Sequence, residues 1–401
     1  MKAPISRNSA ALGLTSFLVE VSSEMLTPIM PLFLLNVLRA DTLAIGFIEG
    51  MSDLVVAAFR AISGYVSDRF GKRKRMSMLG YMVSSFAKVF FFLATSWQQV
   101  FAFKMVERFG KGIRGVPRDA IITHSERKEN LGRAFGFRKM MDAGGAVLGP
   151  LIATLLVAYL LPSLGEEATY RRIFLIAVIP AILGVFIIWR FATDAGERDT
   201  EDGRHILRDV WSRPIYRDFI VLGVLFGLAQ FGTAFFILKA QEITGSVLVT
   251  LFGYLVYNVS YALSAVPVGI LTDKLGGRRM MALAYGLFAL TLTGFAFAND
   301  LAFLLFFALF GTVMAILETT PRAFMARNVE NEHYGTAIGM YQGATGVLVL
   351  PANLAAGFLW GWDTFGMHGT FVFSFIISVS AALIMLWKSR AKAPSPPSRR
   401  L

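Results

Sequence analysis

The chain alternates long apolar runs with short polar segments over almost its whole length. A helix needs about 20 apolar residues to cross the hydrocarbon core of a bilayer, and the chain supplies such runs repeatedly. The pattern predicts an all-α membrane protein with twelve transmembrane helices. The predicted spans are 10–37, 43–68, 77–96, 98–122, 131–160, 172–192, 216–240, 246–273, 280–298, 300–322, 334–361 and 369–388.

Composition supports the membrane assignment. Of the 401 residues, 55% are hydrophobic and only 16% are charged, and the mean hydropathy is +0.58. A soluble domain of this size exposes more charged surface than that. The chain contains no cysteine, which excludes a disulfide framework and a thiolate metal site. No pattern in the chain predicts a bound metal or a cofactor.

Positive charge sets the expected orientation. The net charge of +12 is concentrated in short loops, where it is expected to meet an anionic inner leaflet rather than a nucleic acid. The loop after the second span is rich in Lys and Arg, whereas "SWQQ" at 96–99 and "AND" at 298–300 carry neither. Both termini are therefore predicted to be cytoplasmic, in a multi-pass protein of the inner (plasma) membrane.

One long polar stretch near the middle of the chain divides the predicted spans into six and six. We therefore expect an N-terminal six-helix half at 1–192 and a C-terminal six-helix half at 216–388. A cytoplasmic linker at 193–215 would join them, and a cytoplasmic tail would follow at 389–401.

A loop motif occurs twice in the chain. "GYVSDRFGKRKR" begins at Gly64 and "GILTDKLGGRR" begins at Gly269, so the offset is 269 − 64 = 205. Pro117 and Pro321 keep nearly the same offset, 321 − 117 = 204. Landmarks that stay in register across several spans indicate two structural halves of one design.

These motifs resemble the loop signature of the major facilitator superfamily, G-x-x-x-D-R/K-x-G-R/K-R/K, and the resemblance covers nearly all of the chain. It implies two pseudo-symmetric halves that alternate access to a central cavity, which the first, fourth, seventh and tenth spans would line. It also implies a cytoplasmic gate, in which Asp68 latches the halves by facing cationic side chains. The predicted gate residues, taken from both copies of the motif, are Gly64, Asp68, Arg69, Gly71, Lys72, Arg73, Asp273 and Lys274.

Acidic residues inside the predicted spans are candidate functional groups, because charge at lipid depth is costly. Glu20 and Glu24 lie one turn apart in the first span, Asp53 lies in the second and Asp142 in the fifth. A carboxylate near the membrane midplane could load and release a proton near neutral pH. We therefore predict that these four acids couple transport to protons.

The fourth span is predicted to supply cations. Glu107, Lys111 and Arg114 follow one another by four and three residues, which places them on one helical face. The simplest neutralisation is a network between these bases and the acids of the first, second and fifth spans. Arg108, Lys111 and Gly112 resemble the family's fourth-span motif R-x-x-Q/K-G, where Gln is more common than the Lys found here.

The fifth span partly matches the pattern of the family's proton antiporters, G-x8-G-x3-G-P-x2-G-G. Gly136, Gly145, Gly149 and Pro150 match, whereas the two closing glycines are absent. The resemblance implies a closely packed, kinkable helix at the interface between the halves, and it favours antiport.

The C-terminal half carries hydrogen-bonding groups where the N-terminal half carries charge. Tyr254 and Asn258 follow Glu49 and Asp53 by the same 205 residues. This contrast predicts a cavity for a polar organic molecule between the halves. The predicted cavity residues are Glu107, Arg108, Lys111, Arg114, Tyr254, Asn258, Gln230 and Gln342.

The sequence therefore predicts a monomeric secondary transporter, and most directly a proton-coupled exporter of a small organic solute. Proton-coupled uptake of a small polar or anionic solute, such as a metabolite or a siderophore, is the alternative. A sensor that keeps the fold without transporting is a third, weaker reading. A membrane enzyme and an ATP-driven pump are disfavoured, because the chain has neither an H-E-x-x-H pattern nor a G-x-x-x-x-G-K-S/T phosphate loop.

Overall fold

In a computed structural model of the chain, the described residues are 5–70, 72–127, 130–194, 214–298, 302–328, 334–362 and 366–390. Within these ranges the chain is helical and contains no strand, which confirms the predicted all-α class. The helices are α1 Arg7–Leu26, α2 Met30–Leu32 (continued by a π-helical turn, Phe33–Val37), α3 Thr42–Phe70, α4 Arg73–Phe91, α5 Trp97–Ser125, α6 Leu131–Phe191, α7 Pro214–Gly227, α8 Thr233–Thr244, α9 Val247–Leu275, α10 Gly277–Phe297, α11 Phe303–Asn328, α12 Tyr334–Trp360 and α13 Gly366–Arg390.

Eight helical stretches in the described part are long and apolar enough to cross a membrane. The helices α4 and α5 are not among them because both carry several Lys, Arg or Glu residues. The helices α7 and α8 are too short on their own, with 14 and 12 residues. The number of spans, twelve, and the cytoplasmic position of both termini stay predictions.

The fifth and sixth predicted spans are the two helical limbs of α6, which are joined by a sharp turn at Gly165 instead of a longer loop. α6 contains 61 residues, which at about 1.5 Å per residue is roughly three times the thickness of a hydrocarbon core. Both of its limbs pack against α1, with Gly145 beside Phe17 and Gly184 beside Thr15. The limbs meet at Gly165, whose φ of 72° is left-handed and costs glycine little. The two limbs agree with the two predicted spans, but the connection between residues 160 and 172 is shorter than expected, because helix continues up to a single turn at Gly165.

The first and seventh predicted spans are both interrupted, where the sequence pattern predicts uninterrupted helices. α1 ends at Leu26 and helix resumes at Met30, with Pro28 in the gap. α7 ends at Gly227 and α8 begins at Thr233. The two gaps are related by the repeat, because residues 27 and 232 differ by 232 − 27 = 205. In transporters built from repeats, paired helix interruptions of this kind mark the binding site.

The helices fall into an N-terminal half (residues 5–194) and a C-terminal half (residues 214–390). In the first, α1 packs against α6 and α4 against α5; in the second, α9 packs against α11 and α10 against α13. The halves meet along a first seam, α3 with α12, and a second seam, α6 with α9. Most of the predicted linker lies outside the described residues, so the proposed division of the chain stays a prediction.

An apolar cluster crosses between the halves at the end where α3 and α9 begin. It joins Ile29 and Phe33 of the N-terminal half to Ile237 and Leu251 of the C-terminal half, and all of these side chains are buried. Tyr254, one turn further along α9, belongs to the same cluster. The protein is therefore closed to water at this end.

Candidate functional site: a charged cavity between the halves

A cavity of about 330 Å³ lies between the two halves. Sites for small organic molecules typically occupy about 300–1,000 Å³, so the cavity has room for a small solute. Both interrupted helices reach it, through Thr27 on one side and Gln230 on the other. Its charged lining, within the described residues, comes from the N-terminal half. The lining acids and bases are Glu24, Glu49, Asp53, Glu107, Lys88, Lys104, Arg108 and Lys111.

Two of these acids are neutralised within the cavity wall. Lys104 Nζ of α5 lies 2.6 Å from Glu49 Oε1 of α3, with the two side chains 8% and 18% exposed. Arg108 Nε lies 3.3 Å from Glu107 Oε2 on the same helix. We expected acids of the other spans to pair with bases of the fourth span, and Glu49 forms such a pair. Its partner, Lys104, was not among the predicted cavity residues.

Asp53 and Lys111 reach the cavity without such neutralisation. Asp53 is exposed and Lys111 partly exposed, and both line the cavity as predicted. In the part of the chain that the structure describes, neither side chain has an oppositely charged group within 4.0 Å. One negative and one positive group of the cavity are therefore available to bind a solute.

Lys88 is a cavity residue that was not among the predicted cavity residues. It is buried in α4, and its Nζ donates hydrogen bonds to Ser22 Oγ at 2.8 Å and Ser23 Oγ at 3.0 Å. The signal was present, because Lys88 is the lone charge within an otherwise apolar span and such residues are functional candidates by default.

One hydrogen bond crosses between the halves inside the cavity. Tyr254 of α9 donates its hydroxyl to Glu24 Oε2 of α1, at 2.7 Å. The Tyr254 ring is stacked on Tyr257, with centroids 5.4 Å apart, and Tyr257 continues to Phe310 at 5.0 Å. The C-terminal wall of the cavity is therefore aromatic, with a hydroxyl that reaches an acid of the opposite half.

Two predicted charged residues are engaged away from the cavity. Arg114 donates to Ser84 Oγ at 2.7 Å and lies over the Tyr81 ring, 4.5 Å from its centroid. Asp142 accepts from Arg138 of its own helix at 2.7 Å. Both contacts lie within the N-terminal half, and neither residue belongs to the cavity lining.

Three further predicted residues also lie outside the lining. Asn258 is buried and donates to the carbonyl of Tyr254 on its own helix. Gln342 is partly buried in α12. Glu20 packs beside Gly145, one turn of α1 away from Glu24, which does line the cavity. Their proposed contacts with protons or solute stay predictions.

The glycines of the fifth-span pattern pack inside the N-terminal half and not between the halves. A Cβ added at Gly145 would lie 2.7 Å from the carbonyl oxygen of Phe17, and one at Gly149 would lie 2.7 Å from that of Val21. Gly136 has open space around it. Gly145 and Gly149 therefore fix a close approach of α6 to α1, while α6 itself lies at the interface between the halves through its packing against α9.

The predicted gate is described only in part. The structure does not describe Gly71. It also does not describe the side-chain environment at Gly64, Asp68 and Arg69. Their described neighbours are Lys72, which precedes α4, and Arg73, which is buried at its start. In the second copy, Asp273 and Lys274 are exposed at the end of α9. The latch stays a prediction.

A second polar contact between the halves was missed. Lys139 Nζ of α6 lies 2.9 Å from Glu318 Oε1 of α11. Tyr261 of α9 also donates to Glu318, and Arg322 lies 3.1 Å from it. Glu318 is an acid within the apolar tenth span, so the rule that selected Glu24 would also have selected it.

Two helical halves around a shared cavity, with paired helix interruptions facing it, form the architecture of a secondary transporter. The chain belongs to the Major Facilitator Superfamily, whose family model matches residues 12–255 and 238–401. It is thus a multi-pass membrane transporter and not an enzyme, as the loop signature indicated.

Similar proteins fit this assignment. The chain is 31% identical over 393 residues to the uncharacterized MFS-type transporter MJ1317 of Methanocaldococcus jannaschii, covering 96% of this chain and 95% of that protein. It is 27% identical over 144 residues to the multidrug resistance protein MdtH of Photorhabdus laumondii, which is 36% of each chain. Its fold is similar to that of the nucleoside transporter NupG, with a TM-score of 0.78 at 14% identity, covering 96% of this chain and 100% of that chain.

Proposed function

We propose that the protein exports a small organic solute across the inner membrane in exchange for protons, by alternating access of the cavity to the two sides. The observation that carries the proposal is the hydrogen bond from Tyr254 to Glu24, because it joins the two halves at a group that can bind a proton. Movement of the halves and proton binding then act on the same bond.

The size of this coupling can be reasoned from hydrogen-bond strengths. A hydrogen bond to an ionised acceptor contributes about 1.5–3 kcal/mol, against about 0.5–1.5 kcal/mol for a neutral pair. Protonation of Glu24 would therefore weaken the link to Tyr254 by about 1 kcal/mol, or roughly fivefold in the population of separated halves. This lies at the lower end of typical coupling free energies between sites, about 1–3 kcal/mol.

Asp53 supplies the second element of the proposal. Its exposed carboxylate in the cavity can hold either a proton or a cationic group of the solute, which is the competition that an antiporter requires. The partial antiporter pattern of the fifth span, and the stretch shared with a protein named for multidrug resistance, favour export over uptake. Glu20 and Asp142 stay further candidates for proton binding.

Reconstituted vesicles with an imposed pH gradient test the proposal. Glu24→Gln should abolish gradient-driven accumulation of solute while sparing solute exchange at equal pH. Asp53→Asn should abolish accumulation and also weaken exchange, because Asp53 binds the solute as well as the proton. Tyr254→Phe should weaken coupling without abolishing it, because it removes the bond and keeps the proton site. Glu167→Gln serves as the control, since this side chain is 59% exposed and pairs only with Arg171 of its own helix.

Two results would contradict the proposal. If both amide variants accumulate solute like the parent, protons are not coupled through these residues. If solute moves in the same direction as protons, the protein imports its solute.

A further inference from the structure

We propose that the cavity is built for a zwitterion, whose ammonium group binds Asp53 and whose carboxylate binds Lys111. This inference rests on the proposed transport function and adds the charge class of the solute. The solute would carry an apolar body beside its two charges, as an amino acid with a large apolar side chain does.

The argument begins with the charges that the protein has already neutralised. Four acids and four bases line the cavity, so their total does not select a charged solute. Glu49 pairs with Lys104, and Glu107 pairs with Arg108. These four side chains have little remaining charge to offer, because each is compensated within the wall.

Two of the other four charges are held by hydroxyl groups. Glu24 accepts from Tyr254, and Lys88 donates to the hydroxyls of Ser22 and Ser23. Within the described residues, this leaves Asp53 and Lys111 as the lining charges without a hydrogen-bonded or ionic partner on the protein. One of them is negative and the other is positive.

Asp53 and Lys111 also lie on neighbouring helices, about one helical turn apart in depth. α3 and α5 cross where Gly112 meets Val56: a Cβ at Gly112 would lie 3.2 Å from the Val56 carbonyl oxygen. Lys111 adjoins Gly112, and Asp53 precedes Val56 by three residues, about one helical turn. Their charged atoms are nevertheless more than 4.0 Å apart. A head group with both charges can therefore bridge them, where a direct salt bridge does not form.

A solute with only one charge fits this pair poorly. A cation would bind Asp53 and leave Lys111 without a partner, and an anion would bind Lys111 and leave Asp53 without one. Either solute would therefore form one charge-assisted contact where a zwitterion forms two. The opposite wall consists of Tyr254, Tyr257 and Phe310, whose rings offer a surface for an apolar body.

Matched sets of ligands test the charge class by binding alone. The purified protein in detergent is heated with phenylalanine, leucine or tryptophan, each as the free amino acid, as the methyl ester (a cation) and as the N-acetyl derivative (an anion). A ligand that binds the folded state raises the melting temperature according to its affinity. Because each charge-assisted bond contributes about 1.5–3 kcal/mol, the free amino acid should bind about tenfold more tightly than either derivative.

Two variants serve as controls for each other. Asp53→Asn should remove the response to the esters and keep the response to the N-acetyl derivatives. Lys111→Gln should remove the response to the N-acetyl derivatives and keep the response to the esters. A preference for the ester or for the N-acetyl derivative in every set would overturn the proposal, and so would the absence of a shift with every ligand.

The outcome is independent of proton coupling, because the measurement uses no gradient. Zwitterion binding without pH-driven accumulation in vesicles would refute the proposed antiport and leave the charge class standing. Proton-driven transport of a solute with one charge would refute the charge class and leave the proposed antiport standing.

Discussion

Removing one partner of the ion pair between Glu49 and Lys104 should strongly destabilise the N-terminal half. The paired atoms are 2.6 Å apart and the two side chains are 8% and 18% exposed, so water screens the pair little. Removing one partner of a buried pair leaves the other charge uncompensated, which costs about 3–5 kcal/mol. Glu49→Gln and Lys104→Met should each destabilise the protein by about that much.

The double variant should be far less destabilised than the sum of the two. Removing both charges leaves no unpaired ion, and replacing a buried pair by uncharged side chains is often nearly neutral. The expected coupling free energy is therefore about 2 kcal/mol or more, which exceeds the ~0.5 kcal/mol within which independent sites add.

Equilibrium unfolding in detergent, followed for the parent, both single variants and the double variant, measures this cycle. The control is Glu167→Gln, which breaks a contact of 2.9 Å with Arg171 on an exposed helix surface. Exposed pairs contribute about 0–1 kcal/mol, so the control should be close to neutral. If the effects of Glu49→Gln and Lys104→Met simply add, the pair is hydrated in the cavity and the reasoning from burial fails.

Two further predictions concern orientation and opening. The chain contains no cysteine, so a single Thr200→Cys in the linker should react with a membrane-impermeant reagent only from the cytoplasmic side, and reaction from outside would overturn the predicted topology. A cysteine at Met314, which lines the cavity, should react up to about fivefold faster when Glu318→Gln removes the partner of Lys139. Glu242→Gln removes a half-exposed carboxylate that lies 3.8 Å from Lys239 of its own helix, within the C-terminal half, and should leave that rate unchanged. Equal rates in all three proteins would show that Glu318 does not restrain opening.

The class of fold could be predicted from the sequence because its signals are local or periodic. Apolar runs reveal helices that cross a membrane, and the motif that begins at Gly64 and again at Gly269 reveals the two halves. Pro28 was also a readable signal, since proline inside a helix removes a backbone donor and clashes with the preceding turn. The apolar runs also predicted two spans on either side of residue 165, but not that the turn is made at Gly165, because glycine is common in membrane helices that do not break.

Partners across the cavity could not be predicted from spacing along the chain. Lys104 meets Glu49 at a separation of 55 residues, and Lys139 meets Glu318 at a separation of 179. Such pairs depend on how far each helix is rotated and on where two helices cross, which close packing at residues such as Gly112 decides. Periodicity placed Lys111 and Arg114 on one helical face, yet one reaches the cavity and the other turns to Ser84.

The two seams between the halves differ in strength, and this difference indicates which end of the cavity opens first. The first seam combines the apolar cluster with direct backbone approach: a Cβ at Gly46 would lie 2.2 Å from the Asn353 carbonyl oxygen. At the second seam α6 packs against α9, and the ion pair beside it, between Lys139 and Glu318 of α11, has side chains that are 42% and 35% exposed, so it contributes only about 0–1 kcal/mol. The second seam should therefore separate before the first.

The same helix carries both polar contacts that such a movement would break. Tyr254, which donates a hydrogen bond to Glu24 in the cavity, and Tyr261, whose hydroxyl accepts a hydrogen bond from Lys139 of α6 at 3.2 Å, are 261 − 254 = 7 residues apart on α9. Seven residues are two helical turns, so the two hydroxyls lie on one face of α9, about 10 Å apart along its axis. A proton on Glu24 loosens one end of this face while the half-exposed ion pair restrains the other weakly. Release at the cavity and opening at the second seam are then two parts of one displacement of α9, which is how proton binding inside a closed cavity can open one of its ends.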